Sequence, residues 1–172
     1  MPDEPIVPID DRRLEQPSES ILEIDDAVRA LANRMFDVMD ANHGAGLAAV
    51  QIGVPKRLIV MDVPDKAGSR HRLALANPEI LEVSSETEVN LEGCLSMPGY
   101  DLPVDRPARV WVRYTDLVGK VREIQADGIL AICLQHEIDH VNGVRFTDRV
   151  SALRRTRARS YFAKVRRHAR AA

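Results

Sequence analysis

Gln135-His136-Glu137-Ile138-Asp139-His140-Val141-Asn142-Gly143 is the stretch from which the rest of the chain is best read. His136 and His140 are four residues apart, so on an α-helix their imidazoles stack on one face, one turn apart. At roughly 100° per residue, Glu137 lies about 100° around from His136 and about 60° from His140. All three side chains therefore share one sector of the helix. Two neutral imidazoles beside a carboxylate are what a metal-assisted hydrolase requires: two ligands, and a base that takes a proton from metal-bound water. The competing reading is two hydrogen-bonded core histidines with an unrelated acid between them.

The flanking residues predict a buried helix. Asp127 is placed to act as N-cap, and Gly128 opens the next turn. Ile129 to Leu134 is apolar almost all round, so protein should surround the helix. Gly143 stands where a left-handed cap would end it. Two histidines and a glutamate on such a helix are costly to bury unpartnered, and a divalent ion supplies the partner.

The chain has 172 residues, 45% of them apolar, which suits a single domain spanning 1–172 with a real core. No apolar run approaches the roughly 18 residues of a membrane span. Met1-Pro2-Asp3-Glu4 is acidic, unlike a secretory signal or an Arg-rich transit peptide, so a cytoplasmic, reducing location is expected. There the two cysteines, Cys94 and Cys133, are ligands, nucleophiles or core thiols rather than a disulfide. Net charge is −2, but eight of the 24 Lys and Arg fall in 151–172, where there is no acid. That leaves 16 bases against 26 acids in the first 150 residues, a net of −10: an acidic body with a basic tail.

Residues 1–24 read as an extended arm with one short strand near Ile6-Val7. From Asp25 the pattern turns helical. Val28, Leu31, Ala32, Met35, Phe36 and Met39 form one apolar stripe, capped by Asp25 or Asp26 and fraying near Ala41-Asn42. Gly44-Ala45-Gly46-Leu47-Ala48-Ala49-Val50-Gln51 follows. Its paired glycines mark either a loop closely approached by backbone or ligand, or a plain helix-to-strand turn. Gln51, an amide among small apolar residues, either donates into a site or is solvated.

Strands are expected at Arg57 to Val63, at Leu73 to Ala76 and Glu79 to Val83 around an Asn77-Pro78 turn, and weakly at Glu86 to Leu91. Ala108 to Thr115 and Val121 to Ala126 form a hairpin. The fold class is α+β: mostly antiparallel strands around a buried central helix, with an early helix and a C-terminal helix.

Glu92-Gly93-Cys94-Leu95-Ser96-Met97-Pro98 sits between strands, bent by Gly93 and Pro98. A zinc-class site needs a third protein ligand, and Cys94 can be that thiolate or simply a core thiol. Cys133, three before His136, competes for the role. Three ligands from one helix do not readily close a tetrahedron, so Cys133 is read as an apolar wall.

Together these stretches resemble the peptide deformylase family. Its motifs G-x-G-L-A-A-x-Q, E-G-C-L-S and Q-H-E-x-D-H match Gly44–Gln51, Glu92–Ser96 and Gln135–His140, in order. The resemblance implies a metal held by Cys94, His136 and His140, with Glu137 as general base and then acid. The Gln51 amide and the Leu95 backbone N–H would stabilise the oxyanion. Ala45, Gly46, Gly93, Ile129, Ile132 and Cys133 would line the substrate pocket. The reaction implied is removal of the formyl group from the N-terminal formyl-methionine of nascent polypeptides, releasing formate. The ion implied is Fe²⁺, with Zn²⁺, Ni²⁺ or Co²⁺ able to replace it. One thiolate cancels one charge of the ion, so bound water is acidified less and Glu137 matters more. Ala45, Val50, Asp101 and Arg145 depart from commoner family choices, which bears on peptide preference. Arg106 either pairs with Glu92 or is solvated. The chain is expected to be a monomer. Its basic tail is either a solvated helix or a surface for RNA, which the resemblance would place on the ribosome near the nascent-chain exit.

Overall fold

The computed structural model describes residues 6–171, with side chains to 168, so the acidic Met1–Glu4 reading lies outside the described residues and the side chain of Arg170 outside the described side chains. Helix α1 spans Asp26–Ala41, and strands β1 and β2 span Gly46–Ala48 and Leu58–Pro64. Next come β3 (Arg70–Val83), β4 (Thr87–Cys94), β5 (Met97–Pro107), β6 (Arg109–Thr115) and β7 (Val121–Asp127). Helix α2 runs Gly128–Val141 and α3 Ala152–Ala171. Short 3-10 helices lie at Arg12–Glu15, Ala49–Ile52 and Phe146–Arg149. The fold is α+β, as expected, and every strand pairing is antiparallel.

Five strands form one sheet in the order β1-β2-β3-β6-β7, and β4 and β5 form a separate two-stranded sheet. Strand alternation explains the layering. Leu58 and Val60 of β2 face α1, whose Val28, Ala32, Met35 and Met39 pack on them. Ile59, Met61 and Val63 face the opposite way and bury against α2. Asp25 caps α1, its carboxylate accepting from Val28 N–H at 2.8 Å. The stripe legible in the sequence is the face that α1 buries. Leu134 of α2 is fully buried. Truncation to Ala there would cost about 2–5 kcal/mol in lost transfer energy and cavity.

Helix α2 is buried from Leu130 to Val141 except for partly buried Ile132. Its first turn departs from the all-round burial expected, since Ile129 is 51% exposed. Nor does Asp127 cap it: its side chain makes no capping bond and instead pairs with Lys66 at 3.4 Å. β7 passes into α2 without a loop, and Gly128 takes the turn at φ +56°, where a side chain would be strained and would meet Lys66. Gly143 ends the helix at φ +76°, as anticipated.

Three strand expectations need correction. Ile6-Val7 enters no ladder, because the Val7 and Ile9 N–H groups bond to the 3-10 helix after β1 and to the β4–β5 turn rather than along one strand. Asn77-Pro78 is not a turn but a bulge within continuous β3, where the register slips between Ala76 and Glu79. Asn77 takes φ +48°, and its side-chain amide bonds both the N–H and the carbonyl of Ile21 at 2.8 Å. The weak strand before Leu91 extends to Cys94 and pairs with β5, which carries Pro98, Pro103 and Pro107. Proline is tolerated there because β5 has one free edge.

Candidate active site

Three elements converge. β4 ends on Cys94, whose sulfur the tight β4–β5 turn aims at α2. His136 and His140 project from α2 one turn apart, their rings 5.1 Å between centroids. The donor atoms of Cys94, His136 and His140 all lie within 4.8 Å of one another, and Cys94 Sγ is 3.3 Å from His140 Nε2. Bonds of roughly 2.0–2.3 Å in a tetrahedron put donors roughly 3.5 Å apart, so this set closes on a divalent transition ion with little movement. The mixed sulfur and imidazole donors suit iron, zinc, nickel or cobalt.

Gln51 enters from the 3-10 helix after β1. Its Oε1 accepts from Ala48 N–H at 2.8 Å, which turns Nε2 toward Ser96 Oγ at 3.2 Å and Cys94 Sγ at 3.5 Å. Leu95 occupies the β4–β5 turn itself. Glu137 is buried, and its Oε2 has no hydrogen-bond partner among the described residues. Burial lifts its carboxyl to about pKa 7; the His136 charge pulls the other way.

The two imidazoles differ. Burial and the charge on His136 hold His140 well below the usual histidine range, hence neutral. Burial works against protonation of His136 too, but Cys94 and Glu92 flank it and raise it well above that range. A cation held by the three donors would compete with that proton. Burial, then the Glu137 charge, drives Cys133 well above the ordinary thiol value, so it remains a neutral thiol. Its Sγ lies 3.6 Å from the Ala45 carbonyl.

Behind the ligands runs a chain of charges. His136 Nδ1 meets Glu92 Oε2 at 2.9 Å, which directs Nε2 toward the other donors. Arg106 forks onto Glu92 and reaches Asp139 at 2.8 Å through Nη1. Arg149 forks onto both oxygens of Asp139, sharing Oδ2 with Arg106. Two cations and two carboxylates thus balance, with Glu92, Arg106 and Asp139 buried. Of the two readings of Arg106, the paired one holds. Asp139 and Arg149 were not anticipated. The available signal was an acid inside the apolar run between the histidines.

The site opens into a cleft of about 400 Å³ whose walls include Ala45, Gly46, Leu91, Gly93, Ile132 and Cys133. Ile129 is not among its lining residues. A groove of about 620 Å³ between β6, β7 and the 65–67 loop is larger but contains none of the clustered ligands. Gly46 must be glycine for lack of room: a Cβ there would stand 2.7 Å from Glu137 Oε1 and 2.8 Å from Cys133 Sγ. β1 and β4 each pair on one side only, so two unpaired backbone edges flank the cleft.

The sequence profile of the Polypeptide deformylase family matches residues 3–156. The peptide deformylase of Afipia carboxidovorans is 49% identical over 160 residues, covering 93% of this chain and 94% of that protein. The crystal structure of peptide deformylase from Ehrlichia chaffeensis superposes with a TM-score of 0.89 at 41% identity, covering 96% of each chain. A second structure of that enzyme, in complex with actinonin, gives 0.89 at 42% identity and 98% coverage of each. With the three-donor centre and the adjoining buried glutamate in place, this chain belongs to the peptide deformylase family.

Proposed function

We propose that this chain removes the formyl group from the N-terminal formyl-methionine of nascent polypeptides, releasing formate. The observation that carries the reading is the clustering of Cys94, His136 and His140 donors within 4.8 Å of one another, with Glu137 on the next residue of the same helix. A divalent ion held there, Fe²⁺ in the cell and Zn²⁺, Ni²⁺ or Co²⁺ in its place, would polarise the formyl carbonyl and acidify water.

The protein's own groups do the rest. Glu137, with a free buried oxygen and a carboxyl lifted toward neutrality, takes the proton from the attacking water and returns it to the departing amine. Gln51 Nε2, fixed by the Ala48 bond, and the Leu95 N–H meet the developing oxyanion. Formyl carries only hydrogen on its carbonyl carbon, so a site narrowed between Gly46, Cys133 and Glu137 admits it and resists acetyl. The peptide lies extended between the free edges of β1 and β4, in the manner of an added strand. Ala45, Gly46, Gly93, Ile132 and Cys133 contact it.

The chain acts as one domain and as a cytoplasmic monomer; no helix among the described residues is long and apolar enough to cross a membrane. Helix α3 docks through buried Ala158 and Phe162 and leaves Arg154, Arg157, Arg159, Lys164 and Arg167 exposed. That cationic face supports contact with ribosomal RNA.

The test is formate release from a formyl-Met-Ala peptide under anaerobic conditions with Fe²⁺, Ni²⁺ or Co²⁺. Glu137→Ala should abolish turnover while retaining metal. Loaded protein that releases no formate would overturn the reading.

A further inference from the structure

The N-terminal arm, residues 6–11, crosses the seam between the five-stranded sheet and the β4–β5 hairpin. Val7 N–H donates to the Gln51 carbonyl at 2.8 Å, and Ile9 N–H donates to the Ser96 carbonyl at 2.8 Å. Those carbonyls belong to different sheets' connections: one follows β1, the other lies in the β4–β5 turn. β1 and β4 share no ladder. The Gln51 side chain bridges the same seam on the cleft side, reaching Ser96 Oγ at 3.2 Å and Cys94 Sγ at 3.5 Å. Gln51 and Ser96 are thus joined twice, by an amide in front and by a strap of backbone behind.

We propose that Val7 and Ile9 are positioning residues for the deformylation reaction, holding the Gln51 amide at its working distance from Cys94 and Leu95. The inference rests on the function proposed above. The strap lines no part of the cleft, so whatever it does is transmitted through Gln51 and the turn. It is also well anchored. Val7 and Ile9 are each 7% exposed and share a core cluster with Ala48, Val50, Cys94 and Met97. The Ile9 carbonyl accepts from Arg145 Nη1 at 3.5 Å, and Asp10 accepts from Arg166 of α3. Downstream, Asp11 caps the first 3-10 helix, and its Leu14 is fully buried. An anchored strand that bonds one residue on each side of a seam fixes the seam's width. An oxyanion donor loses most of its value when displaced by about 1 Å.

Val7→Pro deletes the N–H donor and keeps an apolar side chain; Val7→Ala keeps the donor and deletes packing. For Val7→Pro, kcat for a formyl-Met-Ala peptide should fall at least about tenfold, with KM within about threefold and bound metal unchanged. Val7→Ala should hold kcat within about threefold, whatever its unfolding temperature. In a Gln51→Ala background, Val7→Pro should produce no further fall in kcat, because the group it positions is gone. An equal fall in both backgrounds would overturn the proposal, as would equal losses in the proline and alanine variants. If Val7→Pro does not fold, semisynthetic protein with an ester replacing the Val7 amide deletes the donor alone. Unchanged kcat in that protein is equally fatal. A loaded parent enzyme that releases no formate fails earlier, and takes the functional reading with it.

Discussion

Gly46→Ala is the sharpest test of how the general base is seated. The added methyl would lie 2.7 Å from Glu137 Oε1, 2.8 Å from Cys133 Sγ and 2.9 Å from Glu137 Cγ, whereas ordinary contact begins near 3.4 Å. Relief requires the carboxylate to retreat by about 0.7 Å, the difference between 2.7 and 3.4 Å. Cys133 cannot yield freely, since it is buried and faces the Ala45 carbonyl. A base moved that far from attacking water loses on the order of 10²-fold in rate. Overpacking also costs about 1–3 kcal/mol of fold stability. The assay is steady-state formate release with metal content measured on the same samples. The expected result is kcat down about 100-fold with metal retained, because the ligands stay in place. If instead KM rises while kcat stays within twofold, the methyl merely fills the cleft and the reasoning about Glu137 is refuted.

Other consequences are as direct. Glu92→Gln keeps the shape beside His136 but removes the anion that orients it, and should weaken metal affinity about 10–100-fold by chelator competition; unchanged affinity would sever Glu92 from the centre. Arg106→Met leaves the buried Glu92 carboxylate with only His136 beside it and Asp139 with only Arg149, and should cost about 3–5 kcal/mol in denaturant unfolding. A loss under 1 kcal/mol would show that water reaches the pair. The base must be ionised to act, and burial puts Glu137 near pKa 7 before a cation draws it down. Activity should therefore fall with falling pH, with a midpoint between the ordinary 4.5 and about 7. A kcat/KM that is flat down to pH 4.5 would remove Glu137 from the role.

What was legible in the sequence followed local periodicity. The four-residue spacing of His136 and His140, the α1 stripe and the β6–β7 alternation each report one element's own geometry, and each appears as read. What was not legible depends on distant partners. β5 was not anticipated, and its three prolines are compatible with a strand only because one of its edges is free. Asn77 signalled a turn, but bonds to Ile21, 56 residues away, turn it into a bulge. Asp127 had the right place for a cap and spent its charge on Lys66. The Arg149–Asp139–Arg106–Glu92 chain joins residues 10 to 33 positions apart, a spacing with no period.

The buried part of that charge chain and the exposed cations of α3 should answer salt in opposite ways. Mobile ions quench attraction between exposed charges beyond a Debye length of about 8 Å at 0.15 M, and screen the buried Arg106, Glu92 and Asp139 much less. On the RNA contact proposed for α3, ionic strength would set where the molecule resides and leave its chemistry alone. Protein washed from an RNA-rich particle by concentrated salt would leave it as a working catalyst.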